Sequence, residues 1–350
     1  MEFKPLKIGE LTARIPVIQG GMGVGISLSN LAGAVAGEGG VGVISTAQIG
    51  YREEGFDEDP IGTNLKAIGK EIAKARAIAK GGIIGVNIMV ATRQYEEYVK
   101  AAVKAGVDII ISGAGLPMTL PDLVKGTKTK IAPIVSSLKS MQVIWKYWEK
   151  KYNKIPDMVV IEGPKAGGHL GFSYEQLENV EALSFEEEIK KIIQFVKENA
   201  TKYAAKIPVI VAGGIYNAQD AKQAMDLGAD GVQMGTRFVT TKECDASDAY
   251  KNAYIQAREE DIVIVKSPVG MPGRAINNAF MQQAAKGQIP HGKCHLCVST
   301  CKPLETPYCI TEALVNAAKG NVDEALLFCG SNAYRATKIE TVADIMREFQ

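Results

Sequence analysis

Eight short runs of β-branched and other apolar residues constrain this chain more than any other feature. Most of them close on a glycine- or serine-rich turn, and stretches with helical spacing lie between them. The runs cover residues 15–19, 41–45, 83–88, 107–112, 131–136, 158–161, 207–212 and 229–234. Most are continuously apolar, as in DIIIS and PVIVA, which is what parallel strands covered on both faces require. Helical spacing recurs at 65–80, 95–105, 185–205 and 218–227, and Gly106 and Gly228 stand where a helix C-terminal glycine belongs. Strand and helix signals in alternation predict an α/β fold, a (β/α)8 TIM barrel of about 250 residues. A doubly wound sheet is the alternative. In a barrel, the turns after the runs all emerge at the C-terminal face, where active sites are built.

Composition narrows the functional classes. Forty Lys and Arg against thirty-nine Asp and Glu give a net charge of +1 with both signs scattered, so no basic face for nucleic acid is expected. Hydrophobic residues at 46% and charged residues at 23% fit a globular protein with a sizeable core and exclude disorder as the dominant state. No apolar run approaches the roughly 18 residues of a membrane span, and MEFKPLKIGE does not read as a targeting signal. A cytoplasmic protein without a membrane segment is the expectation. Beyond residue 238 the alternation stops. Helical patterns are expected at 245–260, 310–319, 322–331 and 341–349 and a loop at 261–275, making a mostly helical C-terminal extension too small to hold a core alone.

Glycine, at 36 of 350 residues, exceeds the usual share of about 7%, and much of it lies in the turns after the runs. Gly213 and Gly214 follow the seventh run, and Gly235 and Thr236 the eighth. Barrels commonly bind phosphate there, because bare backbone N–H groups can approach the oxygens. Arg237 either adds charge to that site or enters a structural ion pair. In QGGMG, Gly21 and Met22 lie in a loop on which a planar cofactor could rest, and the run lacks the GxGxxG context of a Rossmann loop. Asn87 offers an amide to the polar edge of such a ring or simply forms a turn. Glu162 either orients a ligand or caps a helix. His169, framed by glycines in AGGHLG after the sixth run, is the candidate acid or base.

Four of six cysteines, Cys294, Cys297, Cys301 and Cys309, crowd into sixteen residues. Disulfides are rare in the cytoplasm, so thiolate ligation of zinc or an iron–sulfur cluster is one reading and free thiols the other, although the spacing matches no standard pattern closely. His291 and His295 could complete a ligand set. Cys244 and Cys329 read as ordinary buried thiols.

QGGMG, GVNIM, SGAGLP, EGPKAGGHLG, PVIVAGGI and GADGVQMGTRF, in this order across residues 10–280, resemble the flavin-dependent nitronate monooxygenase (2-nitropropane dioxygenase) family. That family also contains a flavin-type enoyl-acyl-carrier-protein reductase. The resemblance implies an FMN-binding barrel over residues 1–240, with 241–350 packed on it as the extension. By motif, Gly21, Met22 and Asn87 would contact the flavin, and Gly213, Gly214, Gly235 and Thr236 would hold its phosphate. Gln233 would lie close to the ring, and His169 would be the active-site histidine.

One branch oxidises alkyl nitronates with O2. The other passes hydride from NAD(P)H through FMN to an enoyl thioester on acyl carrier protein, and KSPVGMPGRAI (266–276) resembles a segment of that branch. Nitronate oxidation is the leading expectation and enoyl reduction the alternative. A non-redox phosphate-binding barrel, which would be colourless, is a third reading. A homodimer is the assembly left open.

Overall fold

A computed structural model describes residues 3–350 of the chain. Eight parallel strands form a closed barrel: β1 (Val17–Gln19), β2 (Val41–Ser45), β3 (Ile83–Met89), β4 (Ile109–Gly113), β5 (Lys130–Val135), β6 (Val159–Glu162), β7 (Val209–Ala212) and β8 (Gly231–Met234). Each lies within or against one of the eight apolar runs, so the (β/α)8 expectation holds. The two-residue period of a strand divides seven of the eight runs between two cores. Ile18, Val43, Ile111, Val160 and Ile210 point into the barrel, whereas Val17, Ile44, Ile110, Ile161 and Val211 point out against the helices. A hairpin of Leu6–Ile8 and Leu11–Ala13 adds Leu6, Ile8 and Ala13 to the inner cluster and closes the N-terminal end of the barrel.

The four helices expected between the strands are present as Pro60–Ala79, Tyr95–Lys104, Phe185–Thr201 and Ala218–Asp226, with Gly106 and Gly228 at positive φ beyond two of them. Two further helices, Ser29–Gly37 and Leu138–Tyr152, carry no signal singled out in the sequence. The first is built of small residues that let it lie directly on β2: a Cβ on Gly42 would stand 1.8 Å from the Ala32 carbonyl oxygen.

The C-terminal extension corrects two expectations. Residues 261–275 are not a loop but most of a hairpin, Ile262–Lys266 antiparallel to Pro272–Ile276. The second of these strands pairs in turn with Gly168–His169. The β-branched run IVIV at 262–265 and the turn at Gly270 (φ 82°) carry the strand signal. Residues 322–331 are not a helix: a single 3-10 turn, Val322–Glu324, leads into extended chain. Its backbone bonds to the hairpin at Leu327 and Cys329, because its apolar residues are needed beneath that sheet. Helices at Asp248–Gln256, Ile310–Lys319 and Val342–Arg347 match the remaining patterns. Among the described residues, no helix is long and apolar enough to cross a membrane.

Candidate active site

A cavity of about 410 Å³ opens at the C-terminal ends of the strands, within the range of roughly 300–1,000 Å³ usual for cofactor and substrate sites. Gly21, Met22, Asn87, Glu162, His169, Gly213, Gly214, Gln233, Gly235 and Thr236 all line it, so the structure brings together every candidate of the barrel face. Their positions follow from register. Glu162 ends β6 opposite Ala212, and Gln233 on β8 pairs with the same Ala212, which puts the carboxyl and the amide on one level of the barrel.

The loop after β1 has no room for side chains. A Cβ on Gly21 would meet Asn87 Cβ at 2.4 Å, and one on Gly20 would touch the Gln233 amide. Across the cavity, Gly213 (φ 96°) and Gly214 (φ 84°) adopt consecutive left-handed conformations that only glycine takes without strain. Thr236 Oγ1 accepts a hydrogen bond from Gly330 N–H at 3.0 Å, and Asn332 Nδ2 donates to the Gly214 carbonyl at 2.7 Å. Residues 330–332 of the extension therefore strap both phosphate-type loops. Sequence reasoning missed this strap, because neither Asn332 nor Gly330 lies near a strand signal.

His169 sits in a two-strand ladder instead of a free loop, its backbone register fixed against Gly273. Its Nε2 is 2.7 Å from Ser267 Oγ, and its ring packs edge-on against Phe328 at 4.9 Å. Burial without a charged partner lowers its pKa to about 4, so the imidazole is neutral at physiological pH. The same cause pushes the Glu162 carboxyl up to about 7. This carboxyl makes no hydrogen bond among the described residues, so the helix-cap reading does not hold. Two groups in one cavity thus divide the chemistry. The histidine stays uncharged, and the carboxyl changes protonation near neutrality.

Arg237 resolves to its structural reading. It is buried in ion pairs with Glu340 (3.0 Å) and Glu348 (2.6 Å) and lies over the Tyr216 ring, where it fastens the last helix to the barrel.

The cysteine segment does not form the expected metal centre. Among the described residues, no three His, Cys, Asp or Glu side chains converge as a ligand set. Cys294 is exposed, and Cys297 is turned inward against Thr311. Burial raises the pKa values of Cys297, Cys301 and Cys309, and the neighbouring thiols of the segment raise them further. His291 faces the Gly292 and Pro303 carbonyls, and His295 stacks on Phe56 and bonds Asp57 at 2.9 Å. The segment instead clamps the loop after β3: Arg93 N–H donates to the Cys297 carbonyl, and Thr92 bridges to Val298.

A parallel barrel with a glycine floor, a phosphate-type turn of two positive-φ glycines and a buried neutral histidine fits the class of FMN-dependent oxidoreductase barrels. The family model for nitronate monooxygenase matches residues 4–350, and the chain belongs to that family. It is 29% identical over 307 residues to a probable nitronate monooxygenase of Staphylococcus saprophyticus, covering 81% of each chain. A probable nitronate monooxygenase of Staphylococcus aureus is 36% identical over 139 residues, 38% of this chain and 36% of that protein. Among solved structures, FabK from Thermotoga maritima superposes with a TM-score of 0.72 at 24% identity, over 96% of this chain and 92% of the other. A nitroalkane oxidase from Streptomyces ansochromogenes gives 0.69 at 18% identity, over 96% and 95%. These two likenesses establish the shared fold.

Proposed function

We propose that the chain oxidises short alkyl nitronates. The observation that carries this reading is an apolar side chamber of about 40 Å³, lined by Val24, Met89, Val269 and Leu314, that opens on His169. A chamber of a few water-sized volumes fits a short alkyl group.

The residues present fit FMN. Gly20, Gly21 and Gly23 would leave bare backbone for the flat ring, and the amides of Asn87 and Gln233 would meet its polar edge. The Gly213–Gly214 turn and Thr236 would hold the phosphate. When bound, the flavin supplies the electron chemistry toward substrate and O2. The chain's own part is positional and electrostatic. His169, uncharged, hydrogen-bonds the nitronate anion. Glu162, ionising near neutrality, holds or releases a proton within the same cavity.

A second reading, enoyl-thioester reduction with NAD(P)H, draws support from one observation. KSPVGMPGRAI is the hairpin segment that carries Ser267 and pairs with His169. That reading would add acyl carrier protein as partner. The deciding experiment mixes purified protein with propyl nitronate in air and, separately, with NADH or NADPH without oxygen. Rapid O2 uptake with nitronate and slow bleaching of the flavin band by nicotinamide are expected. Fast bleaching together with turnover of an enoyl thioester would replace nitronate oxidation by reduction, and a preparation that takes up no FMN would leave the non-redox barrel.

A further inference from the structure

We propose that Ser267 is a positioning residue that fixes His169 in the Nδ1–H tautomer, so that the imidazole meets its ligand as a hydrogen-bond donor and not as a base. Hydrogen-bond accounting in a buried pair leads there. Ser267 is 3% exposed, and its Oγ lies 2.7 Å from His169 Nε2. The Val269 N–H approaches the same oxygen at 3.4 Å, and the Ser267 carbonyl accepts from Gly270 N–H. Only the first of these engages the hydroxyl, and it uses Oγ as an acceptor. For its own hydroxyl hydrogen, the one acceptor among the described residues is His169 Nε2. A proton on Nε2 would leave that hydroxyl hydrogen buried and unpaired, which costs more than the hydrogen bond itself contributes. Satisfying both groups makes Ser267 the donor and Nε2 the acceptor, and the ring proton then resides on Nδ1. Nδ1 makes no hydrogen bond within the chain among the described residues, which leaves it for a ligand.

The pair is held rigidly. His169 opposes Gly273 and Lys266 opposes Pro272 in one three-stranded sheet, while Leu170 N–H donates to the Pro272 carbonyl at 2.9 Å. Burial, which holds the imidazole pKa to about 4, keeps protonation from blurring the choice of tautomer. The inference deepens the nitronate reading by giving His169 its role there, but its test does not need that substrate. A donor serves a nitronate oxygen and a thioester carbonyl alike.

Only three histidines are present, so the imidazole ¹⁵N resonances of ¹⁵N-histidine-labelled full-length protein separate readily, and His169→Ala assigns them. Two-bond ¹H–¹⁵N correlation, with and without FMN, is expected to show an acceptor-type Nε2 and a protonated Nδ1 for His169. Ser267→Ala should move both nitrogens toward averaged shifts and lower kcat about tenfold, the scale of one buried hydrogen bond, with little change in KM. Ser267→Thr should restore both readouts. A protonated Nε2 in the unmodified protein overturns the proposal without any variant, and so do unchanged shifts in a folded Ser267→Ala. Loss of nitronate turnover as the family reading fails would leave the ¹⁵N pattern standing.

Discussion

The glycine loops after β1 and β7 face residues 262–332 across one cavity, and the two walls keep their places by different means. The loops continue strands whose register the closed barrel sets, so barrel closure itself brings Gly20 against Gln233 and Gly21 against Asn87. The opposite wall depends on pairings between distant segments: Ser267 reaches His169 across 98 residues, and Asn332 reaches Gly214 across 118. Barrel closure therefore supplies the cofactor floor, and pairing with the C-terminal extension supplies the positioning of the reactive side chain.

This contrast can be broken at several points. Removing the reactive group while leaving the floor intact should have the largest effect: His169→Ala is expected to retain FMN and lose turnover by on the order of 10²-fold. Loss of the flavin as well would show that the two walls are not separable. Arg237→Ala removes a buried cation from two carboxylates that fasten the last helix. It should lower stability by roughly 3 kcal/mol in urea titration, with FMN affinity nearly unchanged per folded molecule. An effect under about 0.5 kcal/mol would make the ion pair a surface-type contact.

Glu162→Gln sharpens the floor. The carboxyl binds its proton more tightly in the folded chain, at about 7, than at its ordinary value of 4.5, so its stabilising contribution is complete below 4.5 and is lost as pH rises through 7. The flavin-free variant should match the parent near pH 4.5 and exceed it above pH 7 by about 2–3 kcal/mol. Equal denaturation midpoints across that range would place the carboxyl in contact with water. The smallest effect is expected from Cys294→Ser, within about 0.5 kcal/mol, with chelators leaving the melting temperature unmoved. A chelator-induced loss of stability would restore a metal to the segment.

How legible each wall was follows from the same physics. Runs such as DIIIS and PVIVA could be recognised as strands because burial on both faces leaves a local apolar signature, and AGGHLG marked His169 because flanking glycines frame a projecting side chain. Ser267 carried a weaker mark. It follows the β-branched run IVIV and precedes a proline, which indicates a strand entering a turn, but nothing local names its partner. Residues 322–331 misled because their apolar spacing suits a helix until a sheet edge competes for it. The cysteines misled because spacing reports only which thiols are near in sequence, while burial turned Cys297 inward and left Cys294 outside.

The ladder that holds His169 also bears on the order in which the molecule becomes competent. The chain is made from its N-terminus, and domains tend to organise as they emerge. The eight strands are complete at Met234, while the partner of Gly168–His169 is still to come at Pro272–Ile276 and the strap over the phosphate-type loops later still, at 330–332. A nascent barrel can thus present the floor of the cavity before its histidine has a fixed direction.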